Sequence, residues 1–115
     1  GFKKDCRPEL IGAYDPANDM LIIRKTNIEN GVYINIADND QKAGAYSTED
    51  IYSIFNGSQE LNFFELETIA PMIVKDGKLV STTLHSATCI YKGGRENIRA
   101  VLEKIYGLNS KEIVK

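Results

Sequence analysis

The chain has no tryptophan, one histidine, two cysteines and three prolines in 115 residues. Without Trp the largest stacking side chain is missing, so any aromatic platform must come from its 6 Tyr and 4 Phe. A single His and two Cys fall short of a structural zinc site, and no metal or other cofactor is expected. Cys6 and Cys89 do not make a disulfide framework. Cys6 lies in a polar leader, and Cys89 lies in an apolar strand, where a free thiol reads as a small buried hydrophobe. No apolar run approaches the roughly 20 residues of a membrane helix. Neither sign of charge dominates: 14 basic and 16 acidic residues are well mixed, for a net charge of −2. No basic stripe faces a phosphate backbone, so nucleic acid is not an expected partner. Phosphate-binding loops and nucleophile elbows are absent as well.

What remains is ordinary globular composition, 43% hydrophobic and 26% charged, in a length that suits one domain over 1–115. Residues 1–8 read as a loose polar leader. The start at Gly-Phe rather than Met permits a processed N-terminus, and with it an exported bacterial protein. Glu9–Tyr14 is short and β-tolerant, and Asp15-Pro16-Ala17-Asn18 is a turn signal. Asp19–Thr26 reads as a strand, Asn30-Gly31 as a tight turn, and Val32–Ala37 as a strand with Val32, Ile34 and Ile36 on one face. These two runs most simply form a hairpin. Residues 38–49 are polar and form a long loop. Asp50–Phe55 is strand-like, Asn56-Gly57-Ser58 turns, and Leu61–Ile69 is the densest β segment. Asp76-Gly77-Lys78 interrupts the next stretch, and Val80–Tyr91 reads as one long strand.

The period then changes. Ile98, Val101, Leu102 and Ile105 follow i, i+3, i+4, i+7 spacing, which predicts an amphipathic helix over 95–106 with Gly107 as its stop. Residues 109–115 read as a polar tail. The expected fold is therefore mainly β: an antiparallel β-sandwich of six to seven strands with one C-terminal α-helix.

Among possible sites, Phe63-Phe64-Glu65-Leu66-Glu67-Thr68 stands out. Alternate side chains on a strand share a face, so Glu65 and Glu67 point the same way, with Cα atoms roughly 6.5–7 Å apart. Two neighbouring carboxylates can divide the roles of acid and base, and the spacing lies in the glycoside hydrolase range. A solvated strand face is the plain alternative. His85, the sole histidine, is either a packed or surface side chain or an acid/base partner. Lys92-Gly93-Gly94-Arg95 is either a turn into the helix or a weak anion site.

The order of these pieces resembles the C-terminal portion of the galactose mutarotase-like (aldose 1-epimerase) superfamily, and more closely a bacterial branch of it. The matching pieces are Gly12–Asp15, Leu21–Ile23, Asn56-Gly57, Phe63–Glu67 and Ile98–Gly107, with Pro71 and the Thr-rich stretch Ser81–Tyr91 in between. The resemblance covers about nine-tenths of the chain and implies part of a β-supersandwich whose concave face binds sugars. It implies Glu67 as the general base, with Glu65 beside it. The family's two histidines sit in segments upstream of anything present here, and His85 matches neither motif. The expected role is thus carbohydrate binding, through Glu65, Glu67, Phe63, Tyr52, Asn56 and His85. The alternatives are a structural, self-associating remnant and an epimerase or glycosidase using the paired carboxylates. A homodimer through exposed sheet edges is the expected protein partner.

Overall fold

The computed structural model describes residues 9–27, 29, 31–34, 46, 47, 51–57 and 60–115. In chain order its strands are β1 (Leu10–Asp15), β2 (Met20–Thr26), β3 (Tyr33–Ile34), β4 (Tyr46–Ser47), β5 (Tyr52–Asn56), β6 (Phe64–Thr68), β7 (Ile73–Lys75), β8 (Lys78–Val80) and β9 (Ser86–Tyr91). Two helices follow, α1 (Arg95–Lys104) and α2 (Ser110–Ile113). The chain is mainly β, with antiparallel hairpins and a C-terminal helix, the class expected from its alternating patterns. Its contacts divide into two compact units. One comprises Leu10–Arg24 with Ala87–Lys115, and the other comprises Glu9 with the described residues of Lys25–Ser86.

The first unit is built on a three-stranded sheet with β2 between β1 and β9. The turn from β1 to β2 is held by Asp15. Its carboxylate accepts from the Asn18 side chain at 2.7 Å and from the Ala17 N–H at 2.9 Å. These bonds, the Asn18 one foremost, hold the Asp15 carboxyl below the usual carboxylate range. Tyr14 closes the same corner by donating to Asp19 at 2.7 Å. Leu21 and Ile23, two apart on β2, point to one face and join Ile98, Val101 and Leu102 of α1 in a common core. Each such side chain contributes roughly 1.5–3 kcal/mol by leaving water. Gly107 follows α1 as expected: its N–H bonds the Glu103 carbonyl at 3.2 Å, and it takes the left-handed conformation that favours glycine.

Three expectations for this unit are corrected. Ile105 is 60% exposed, because the helix closes at Lys104 and Ile105 caps it, off the buried stripe. Cys89 is exposed rather than buried, since β9 is an edge strand and only its last residue, Tyr91, is partly covered. The segment 109–115 is not simply a polar tail. Asn109 caps α2 by accepting from the Lys111 N–H at 3.2 Å, and Val114 behind α2 is fully buried in the core with Leu102. Ser110 is also buried and donates to Glu103 at 2.5 Å.

The second unit consists of hairpins and a bridge. β3 pairs with β4, Tyr33 opposite Ser47, and not with β2, whose neighbours are β1 and β9. The expected β2–β3 hairpin is thereby replaced by longer-range pairing. Its inward residue is Tyr33, fully buried, whereas Val32 is exposed; Ile36 lies outside the described residues. Val32 and Met72 exchange backbone bonds at 3.3 and 2.7 Å. β7 and β8 form a hairpin through Asp76-Gly77, both at positive φ, as the tightest two-residue turn requires. The expected long strand over Val80–Tyr91 is broken: Ser81–His85 is not strand, and pairing resumes only at Ser86. Most of the expected loop 38–49, and Cys6 in the leader, lie outside the described residues.

Candidate functional site

β5 and β6 form an antiparallel hairpin in which Ser53 faces Glu67, Ile54 faces Leu66, Phe55 faces Glu65 and Asn56 faces Phe64. Because successive side chains alternate, Glu65, Glu67, Phe55 and Ser53 share one side of this ribbon. Phe63 joins that side from just before β6. Its carbonyl accepts from the Gly57 N–H at 3.1 Å, which extends the ladder, and its ring lies 5.4 Å from that of Phe55 at an angle of 33°. That distance is within the range of a favourable aromatic pair. The two rings are 40% and 51% exposed for Phe55 and Phe63, and both carboxylates are exposed. The result is an open surface with an aromatic pair at one end and two carboxylates along it.

Phe55 was not among the residues singled out by sequence. Its place opposite Glu65 depends on the register of the hairpin, which the Asn56-Gly57 turn only hints at. Tyr52 and Asn56 fall on the opposite face, because they are an odd number of residues from Phe55 and Ser53. Tyr52 is fully buried, with its hydroxyl beside Thr26, and burial pushes its phenol above the usual tyrosine range. It is a core residue of its unit and offers no stacking surface. His85 is exposed and tied by its backbone to Asn27, donating to the Asn27 side chain at 2.9 Å and accepting from the Asn27 N–H at 3.2 Å. No hydrogen bond or ion pair links it to Glu65 or Glu67.

In the other unit, a surface hollow of about 410 Å³ runs along Arg99, Glu103, Lys104, Ser110 and Lys111. Its polar groups are largely committed to the α1–α2 seam: Arg99 donates to Glu96 and to the Val114 carbonyl, and Ser110 donates to Glu103. Lys92-Gly93-Gly94 is occupied in the same way, with the Asn97 side chain donating to the Lys92 carbonyl at 2.7 Å. Among the described residues, no cluster of three His, Cys, Asp or Glu side chains is arranged to hold a metal ion, and no helix is long and apolar enough to cross a membrane.

No family model matches this chain, and no curated protein or solved structure matches it.

Proposed function

We propose that the β5–β6 hairpin is a carbohydrate-binding surface, in a module related to the C-terminal part of galactose mutarotase-like proteins. The observation that supports it is the Phe55–Phe63 ring pair set beside Glu65 and Glu67 on one exposed face. The C–H face of a pyranose stacks on aromatic rings, while its hydroxyls donate to carboxylates in charge-assisted hydrogen bonds. Ser53, opposite Glu67, adds a hydroxyl that can donate or accept. The reading is binding rather than turnover. Anomeric proton transfer needs an acid and a base on the same bound sugar, in a site that excludes water. Here the two glutamates stand on an open face and His85 is not bonded to either of them.

The test is an amide-detected NMR titration with a panel of mono- and oligosaccharides. Shifts are expected at Ser53, Phe55 and Phe63–Glu67, and they are expected to vanish in Phe63→Ala and to weaken in Glu67→Gln. Unchanged spectra across the panel at millimolar sugar would overturn the reading.

A further inference from the structure

We infer that a second copy of this chain docks on the acidic face of the β5–β6 hairpin, and that it does so through its own β7–β8 hairpin. The register of β7–β8 places Ile73 opposite Val80 and Lys75 opposite Lys78, all four on one side of the ribbon. Its chemistry is the counterpart of the other hairpin's. One face carries two lysines flanked by Ile73 and Val80, and the other carries Glu65 and Glu67 flanked by Phe55 and Phe63. No Lys or Arg occurs from Ile51 to Ile69 to neutralise the acids locally. Neither lysine and neither glutamate is engaged in a salt bridge among the described residues. Like charges directly opposite each other, as Lys75 and Lys78 are, disfavour an isolated hairpin. Matching the two faces relieves both like-charge pairs at once.

The apolar exposure points the same way. A two-stranded hairpin is marginal by itself in water, and β7–β8 has three residues per strand. On the docking face itself Val80 is exposed and Ile73 is only partly buried. A partner that covers this face therefore supplies what its own unit does not. Each copy carries both faces, so a two-fold dimer makes the contact twice; if the rotation does not close, the same contact strings copies together. The inference does not depend on the saccharide reading. It uses the same acidic face, so a bound sugar and a second copy exclude one another.

The test is sedimentation of the full chain over a range of concentrations at low and high salt, with two charge-reversed variants. One is Lys75→Glu with Lys78→Glu, and the other is Glu65→Lys with Glu67→Lys. The wild-type chain is expected to associate, and more weakly in high salt, because exposed ion pairs are screened. Each variant alone presents two faces of one sign, and its association is expected to fall at least tenfold. An equimolar mixture of the two is expected to restore a heteromeric species, because each then meets an opposite face. A wild-type chain that stays monomeric throughout overturns the inference, and so does a mixture that fails to associate. Sugar shifts retained in the Lys75→Glu, Lys78→Glu variant, which leaves the acidic face intact, separate this result from the saccharide reading.

Discussion

Val114 is the residue through which the C-terminal segment is anchored, and Val114→Ala tests that anchoring. Its side chain is fully buried against the cluster of Leu21, Ile23, Ile98, Val101 and Leu102. Truncation to Ala removes two methyl groups from the core. At roughly 0.8 kcal/mol per buried carbon the transfer loss is about 1.6 kcal/mol, and the cavity left in a packed site raises the expected cost to about 2 kcal/mol. For a chain of this length that corresponds to a fall in Tm of about 8 °C. The chain has no Trp, so urea unfolding is best followed by far-ultraviolet circular dichroism. The midpoint is expected to fall with the slope unchanged. Lys115→Ala, at the exposed next residue, is expected to stay within about 0.5 kcal/mol of wild type. If Val114→Ala is as silent as Lys115→Ala, the tail is solvated and the packing described for this segment is wrong.

Two further outcomes follow from local geometry. The Tyr106 phenol is pushed upward, first by burial and then by its 2.7 Å hydrogen bond with the Tyr91 hydroxyl. The folded state therefore keeps a proton that the unfolded chain releases near the ordinary tyrosine value, about 10. The associated stability is fully present below that value and is lost as pH rises beyond it toward the higher folded pKa. Tyr106→Phe should flatten the alkaline fall of stability measured by urea unfolding, and an unchanged alkaline limb would refute the assignment. Gly77→Ala probes the β7–β8 turn: nothing lies near the added methyl, so the cost is purely that of positive φ, about 1–2 kcal/mol. Weakened cross-strand contacts between Val74 and Leu79 in NMR spectra are expected, and unaltered contacts with unaltered stability would contradict the turn geometry.

The candidate surface was half legible in the sequence. Glu65 and Glu67 are two apart in a strand-forming run, and period-2 alternation alone puts them on one face. Phe63 follows by the same step. Phe55 required the pairing of β5 with β6, and Tyr52, an odd three residues from Phe55 on the same strand, looks equally suitable until the face is known. The tail shows the reverse situation. Asn109 and Glu112 stand three apart, the spacing of a helix-capping pair, and the Asn109 side chain does bond Glu112 at 3.0 Å. That signal was present, but four helical residues among Lys and Glu read as a polar end.

Features that depend on near neighbours were legible in the residues alone: the mainly β class, the Asp15–Asn18 and Asp76-Gly77 turns, the helix stripe of Ile98, Val101 and Leu102, and the shared face of the two glutamates. Backbone periodicity and turn dihedrals are local properties, and the residues within a few positions suffice to set them. The three-dimensional fold was needed to show that β3 pairs with β4 instead of β2, that β9 is an edge strand leaving Cys89 exposed, that Val114 closes the helical core, and that Phe55 stands beside Glu65. Those outcomes turn on which distant segments meet. An apolar alternation says that a face will be covered, while its partner is chosen by loop closure, register and packing across the chain.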